Sequence, residues 1–140
     1  MPKVFVYGTL LRDDAGHNFW GREILVRTSR HATIKASLFL EKFPYVVLDG
    51  KGTVHGKVFD VDDKTIKTYD EIEGVGHSWY ARKNVEARLD NGKTQKVWVY
   101  CFGSVRGGRP ISNGQFEDWF DTNMYIIPKD KGVEIRPQEP

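Results

Sequence analysis

The chain has 140 residues, of which 39% are hydrophobic and 29% charged, and its formal net charge is +2. That length fits one domain with a core of its own, and the composition excludes a disordered or fibrous chain. The excess of positive over negative charge is small and the charges are interspersed, so we do not expect nucleic acid as a partner. No stretch approaches the ~20 apolar residues of a membrane helix, so we do not expect a membrane as a partner either.

The first predicted element is a short buried strand over residues 3–7, because KVFVY is rich in β-branched and aromatic types. Gly8 and Thr9 follow before any helix can begin. A strand interior disfavours glycine and a tight turn uses it, so we predict that the backbone turns at Gly8 and exposes amide groups there. The polar residues 12–21 predict a short helix or an irregular loop.

The next elements are predicted to be strands. Residues 23–41 contain many Ile, Val and Thr, with a break expected near Ser29 or His31. Residues 45–48 follow a proline and precede an Asp-Gly turn, which is typical of a strand with a turn after it. Residues 53–62 predict a strand, because alternate side chains form two sets: Val54, Gly56 and Val58 on one face, and His55, Lys57 and Phe59 on the other. Gly56 predicts a close approach of another part of the chain.

The clearest helix lies over residues 62–74, where Ile66, Tyr69 and Ile72 recur at helical spacing. Asp62 or Asp63 can cap its start, and Gly74 can end it. Residues 80–102 predict a hairpin around the turn sequence Asp-Asn-Gly.

The remaining residues predict a glycine-rich loop over 103–110, a short amphipathic helix over 113–127 and a loosely packed tail from about 128. No linker or repeat divides the chain, so we expect a single domain over residues 1–140. Many strands with one or two helices predict an α+β domain with a curved or closed, antiparallel-rich sheet.

Glu73 is the candidate for acid–base chemistry. Asp70, Glu71 and Glu73 lie near the helix C-terminus, where the helix dipole disfavours negative charge. At about 100° per residue, Glu73 points towards the apolar side of the helix and Glu71 away from it. A glutamate there should have a raised pKa and serve as a general base near neutral pH. The alternative is a solvated helix end whose acids pair with Arg82 or with Lys83.

Other residue types give weaker signals. Cys101 has no partner for an internal disulfide and follows an apolar run, so we expect a buried thiol in a reducing, cytoplasmic protein. The four histidines have no metal-binding spacing, so we predict no metal site, and no nucleophile elbow or P-loop is present.

The turn and the acid together indicate a binding site. Backbone amides exposed at Gly8 can hold a carboxylate, and the hydroxyl of Thr9 adds a donor. A glutamate with a raised pKa across a cavity could take a proton from an amine held there. The pair describes a site for a small amino-acid-like molecule.

Four segments resemble the gamma-glutamylcyclotransferase-like superfamily, which includes gamma-glutamylamine cyclotransferases and AIG2-like proteins. VFVYGTL at 4–10 resembles its Tyr-Gly-Ser/Thr-Leu signature, and VHGKVFDVD at 54–62 resembles a Gly-x-Val/Leu-Tyr/Phe strand. YDEIEG at 69–74 resembles its Leu-Asp-x-x-Glu-Gly helix end, and YAR at 80–82 the Tyr-x-Arg that follows. Order and spacing agree over residues 3 to about 103.

The resemblance implies a small mixed β-barrel with flanking short helices. It implies an enzyme that cyclises a small-molecule γ-glutamyl amide to 5-oxoproline and releases an amine or amino acid without a cofactor. Glu73 would be the proton acceptor and donor. The substrate-binding residues would be Tyr7, Gly8, Thr9, Leu10 and Tyr80.

The sequence departs from the family pattern in two places. Tyr69 replaces the usual leucine, and the segment 74–79 is about one residue longer. Because the resemblance implies that this segment borders the site, it leaves the identity of the leaving group open. Two alternatives remain: a non-catalytic module that binds a small molecule or a partner on the same barrel, and hydrolysis or transfer at another γ-acyl amide. The role of Glu73 distinguishes them: hydrolysis or transfer needs this acid, and the binding module does not.

Overall fold

The computed structural model describes residues 1–8, 24–41, 43–111 and 114, and the backbone of 124–129 and 132–137. Its elements in chain order are β1 (Lys3–Val6), β2 (Val26–Lys35), β3 (Ser37–Leu40), β4 (Pro44–Val47), β5 (Thr53–Val61), α1 (Asp63–Glu73), β6 (Tyr80–Leu89), β7 (Thr94–Phe102), β8 (Arg109–Pro110), β9 (Met124–Lys129) and β10 (Gly132–Pro137). Within these described residues, no helix is long and apolar enough to cross a membrane.

Five strands close into a barrel in the order β1-β5-β2-β6-β7, because β7 also pairs with β1. The β1–β5 pairing is antiparallel and the β1–β7 pairing is parallel, so the barrel is mixed. Strands β4, β3 and β8 continue the sheet outward from β7. The predicted α+β class and small mixed β-barrel are confirmed.

β1 is buried on both of its faces, which explains its unbroken apolar sequence. Phe5 and Tyr7 belong to the cluster that fills the barrel. Val4 and Val6 belong to a second cluster, which also contains Ile66 and Tyr69 of α1. Helix α1 therefore packs over the outside of the barrel wall at β1.

Both ends of α1 are as the sequence predicted. The Asp62 side chain accepts a hydrogen bond from the Thr65 amide at 2.7 Å. Gly74 adopts a left-handed conformation with φ of 66°, and its amide closes the last turn. The helix consequently ends at Glu73 and the chain turns away immediately after it.

Two further strand predictions have different outcomes. The hairpin is confirmed, since β6 and β7 pair antiparallel from Tyr80 with Phe102 to Arg88 with Thr94. The predicted break near Ser29 or His31 is wrong, because both residues pair with β5 in a run that is uninterrupted from Thr28 to Lys35; the register shift of this ladder lies before it, between Val26 and Thr28. The interruption lies at residue 36 instead, between β2 and β3.

The predicted helix over 113–127 is wrong where it can be checked. Residues 124–127 belong to β9, which pairs antiparallel with β10. Tyr125, Ile126 and Ile127 are aromatic or β-branched, types that favour a strand, and each pairs with a residue of β10. Residues 115–123 and the segment 12–21 lie outside the described residues, and the single domain with a loosely packed tail stays a prediction.

We predict that Gly56→Ala destabilises the barrel strongly. A Cβ atom at Gly56 would lie 2.2 Å from the carbonyl oxygen of Val6 and 2.8 Å from the ring of Phe5. The nearer atom is backbone of β1, so β1 and β5 would have to separate. We expect a loss of about 2 kcal/mol or more in the free energy of unfolding, measured by urea denaturation.

Gly103→Ala is the matched control, because nothing lies within 4 Å of a Cβ atom there. It should change stability by no more than about 0.5 kcal/mol. Equal effects of the two substitutions would contradict the close approach.

A candidate active site at the end of the helix

A cavity of about 280 Å³ opens where β1, α1 and the start of β4 meet. That volume suits a molecule of amino-acid size. The residues that line it are Phe5, Val6, Tyr7, Gly8, Phe43, Pro44, Ile72, Glu73, Ser78, Tyr80 and Tyr100.

Glu73 lies on this cavity as the last residue of α1. It keeps some accessible surface because its side chain faces the open space. The surrounding protein removes water from the carboxyl group, and this burial raises its pKa from an ordinary 4.5 to about 7. Both protonation states are therefore populated near neutral pH.

An ion pair of the kind expected at a solvated helix end is made by Asp70 rather than by Glu73. Arg82 Nε lies 3.4 Å from Oδ1 of Asp70. The guanidinium also lies over the ring of Trp98, with its carbon 4.6 Å from the ring centroid. The helix end thus separates its acids: Asp70 pairs with Arg82, whereas Glu73 lines the cavity.

Tyr7 and Tyr80 supply two walls, and both hydroxyl groups are committed to backbone carbonyls. Tyr7 donates to the carbonyl oxygen of Tyr100 at 2.7 Å, and Tyr80 donates to that of Pro44. Burial is the main cause of the raised pKa of both phenols, and the charge of Glu73 adds to it. They therefore remain neutral and fixed in position around the carboxyl group.

The predicted turn at Gly8 agrees with the described part of the structure. The backbone bends at Gly8, two residues after the last residue of β1, and Gly8 lines the cavity. The cavity thus brings together Tyr7, Gly8, Glu73 and Tyr80. Thr9 and Leu10 lie outside the described residues.

Sequence reasoning missed Tyr100 and the role of Ser78. Tyr100 lines the cavity, and its hydroxyl donates to Asp70 Oδ1 at 2.7 Å. Ser78 donates to the carbonyl oxygen of Glu73 at 2.7 Å and accepts from the Tyr80 amide at 3.2 Å. The alternation of β7 places Tyr100 on the face away from the barrel interior, but only the packing of α1 shows which acid it meets.

Two other titratable side chains lie away from this chemistry. Cys101 is buried as predicted, with Sγ 3.6 Å from the carbonyl oxygen of Ala81, and burial raises the pKa of its thiol. His77 is exposed and does not line the cavity. In the described part of the chain, no group of three or more His, Cys, Asp or Glu side chains is placed to hold a metal ion.

Comparisons with known proteins agree on one family. The model of the family described as "Gamma-glutamyl cyclotransferase, AIG2-like" matches residues 4–119. A protein of Methanocaldococcus jannaschii, named as a candidate gamma-glutamylcyclotransferase, is 33% identical over 125 residues, covering 85% of this chain and 98% of the relative. The gamma-L-glutamyl-butirosin B gamma-glutamyl cyclotransferase of Niallia circulans is 27% identical, covering 100% of this chain and 87% of the relative.

A solved structure gives the same result for the fold. The solution structure of protein ytfP from Escherichia coli superimposes with a TM-score of 0.57 at 28% identity, covering 84% of this chain and 97% of that one.

The raised pKa of Glu73 predicts a pH-dependent stability. Between pH 4.5 and about 7 the folded protein keeps a proton that the unfolded chain has released, so the free energy of unfolding falls as pH rises. At about 1.36 kcal/mol per pKa unit, ionisation of this group at pH 8 costs up to about 3 kcal/mol. The side chain introduced by Glu73→Gln cannot ionise. The free energy of unfolding of this variant, relative to that of the wild type, should therefore be greater at pH 8 than at pH 5.

Urea denaturation of both proteins at the two pH values measures this difference. Glu71→Gln is the control, because Glu71 is exposed on the same helix. A stability difference between Glu73→Gln and wild type that does not change with pH would contradict the raised pKa.

Proposed function

The chain belongs to the gamma-glutamyl cyclotransferase, AIG2-like family, and we propose that it converts a γ-glutamyl amide into 5-oxoproline and a free amine or amino acid. One observation carries this proposal: a carboxyl group with a pKa of about 7 lines the same amino-acid-sized cavity as the bend after the first strand.

The reaction is an attack within one substrate molecule. The α-amine nitrogen forms a bond to the side-chain amide carbon, closing a five-membered lactam, and the bond from that carbon to the amide nitrogen breaks. The attacking nitrogen loses a proton and the leaving nitrogen gains one. Atoms and charge balance without water, a metal or a redox cofactor.

Glu73 carries the proton in this proposal. Only the neutral α-amine is a nucleophile, and as its nitrogen bonds to the amide carbon the carboxylate form of Glu73 accepts the one proton that this nitrogen must lose. The carboxylic acid form then returns the proton to the leaving nitrogen. A pKa of about 7 suits both steps, because a group that titrates near the working pH can accept and donate with little bias.

The walls of the cavity orient the substrate. In this proposal the backbone N–H groups at the bend of Gly8 donate hydrogen bonds to the α-carboxylate of the glutamyl group, and Thr9 and Leu10 complete the binding site for that group. Tyr7 and Tyr80 limit the conformations of its side chain, because their own hydroxyls are fixed by hydrogen bonds. Holding the amine close to the amide carbon supplies much of the rate acceleration.

We predict that Glu73→Gln abolishes turnover while the protein still folds. The amide has the same shape but cannot accept a proton, so kcat for 5-oxoproline release should fall by at least about 100-fold. A panel of γ-glutamyl amines and dipeptides, with 5-oxoproline quantified by mass spectrometry, measures this. In the wild type, kcat/KM should decrease as pH falls below about 7, because Glu73 becomes protonated.

Glu71→Gln is the matched control and should retain wild-type turnover, since Glu71 is exposed and outside the cavity. Unaltered turnover in Glu73→Gln would remove Glu73 from the mechanism. Binding of the γ-glutamyl amides by the wild type without any product would favour the non-catalytic module.

We predict that Gly8→Val weakens substrate binding. A β-branched side chain restricts the backbone at this bend, which lines the cavity. KM should rise by about tenfold or more, measured by steady-state kinetics, with the fold checked by circular dichroism. Gly103→Val, at a position with open space around its Cβ, should leave KM near the wild-type value; a retained KM in Gly8→Val would refute the binding role of the bend.

A further inference from the structure

Trp79 and Arg106 form an exposed aromatic–cation pair. Trp79 stands between Ser78 and Tyr80, two residues that line the cavity, and 61% of its surface is exposed. The guanidinium carbon of Arg106 lies 3.6 Å from the centroid of the Trp79 ring. At an exposed site such a contact is worth only about 0.5–1 kcal/mol, so the pair adds little to the stability of the fold.

The backbone holds Arg106 to the cavity wall. Its amide donates to the hydroxyl of Tyr45 at 3.0 Å, and that hydroxyl donates to the carbonyl of Gly107 at 2.6 Å. The Tyr45 ring stacks on Phe102 at 4.2 Å, and Phe102 meets the ring of Tyr80 edge-on at 4.6 Å. Two aromatic contacts therefore connect the loop that carries Arg106 to a wall of the cavity.

Exposed apolar side chains accompany this pair, and we call the set of Phe43, Trp79, Val105 and Arg106 the rim. Among the described residues, three of the five exposed large hydrophobic side chains are here: Phe43 on the cavity lining, Trp79, and Val105 next to Arg106. Arg106 forms no ion pair with any described residue. A positive charge on an apolar, aromatic rim is suited to an organic anion.

We infer that Trp79 and Arg106 bind the leaving portion of the substrate and favour leaving groups that carry a carboxylate. This inference rests on the proposed function. With the glutamyl end at Gly8 and the scissile amide at Glu73, the remainder of the substrate extends past Glu73 towards Ser78, Tyr80 and this rim. The preferred substrates are then γ-glutamyl amino acids or peptides rather than γ-glutamyl alkylamines.

Two matched substrates test the inference. γ-Glutamyl-L-alanine and γ-glutamylethylamide differ only by the carboxylate on the leaving group. The wild type should show kcat/KM at least about fivefold higher for γ-glutamyl-L-alanine, a preference that falls as NaCl is raised. Arg106→Gln should bring the ratio of the two kcat/KM values close to one, and Arg106→Lys should restore part of the preference.

Arg88→Gln is the control for loss of a positive charge. Arg88 is exposed at the far end of β6 from Tyr80, so this variant should keep the wild-type ratio. Trp79→Leu should raise KM for γ-glutamyl-L-alanine, because the ring that supports the guanidinium is lost.

Binding of the two substrates to Glu73→Gln, measured by calorimetry, separates this inference from the proposed function. Tighter binding of γ-glutamyl-L-alanine that depends on Arg106, in a protein whose wild type makes no 5-oxoproline, would support the rim site and refute the proposed function. Turnover of both substrates with equal kcat/KM would refute the rim site and support the proposed function. Failure to bind or convert either substrate would overturn both.

Discussion

The architecture depends on β1 pairing with two neighbours at once. Its antiparallel pairing with β5 and its parallel pairing with β7 close five strands into a barrel. Because no edge remains at this seam, β1 is buried on both faces, by the barrel interior and by α1. The strand ends at the cavity, so the same closure that completes the core also fixes Tyr7 and the bend at Gly8 opposite the end of α1.

The cavity places an acid where ionisation is unfavourable. Glu73 lies at a helix C-terminus, whose dipole disfavours negative charge, and the surrounding protein excludes water from its carboxyl group. Its neighbour Asp70 is stabilised instead by Arg82 and Tyr100. One helix end thus holds an ordinary ion-paired acid and an acid that titrates near neutral pH. Such a stability cost at a pocket is typical of functional sites.

The polar side chains around Glu73 are held in place by hydrogen bonds to the backbone. The hydroxyls of Tyr7 and Tyr80 donate to backbone carbonyls, and Ser78 links the helix end to the start of β6. These bonds are made within the protein, so they hold the walls in place before any ligand enters. Outside the cavity lining, Trp79 and Arg106 form an exposed aromatic–cation contact of different character.

Local sequence determined the elements whose signals are short-range: the capped helix, the Asp-Asn-Gly hairpin, the glycine of close approach and the turn of Glu73 towards the apolar side. These follow from periodicity and turn chemistry, which act over a few residues. Tertiary structure alone decided the closure of the barrel, the unbroken ladder through Ser29 and His31, the β9 strand, and the meeting of Tyr100 with Asp70. Each depends on contacts between residues far apart in the chain, and strand pairing of this kind overrides local preference because it satisfies backbone groups that local sequence leaves open.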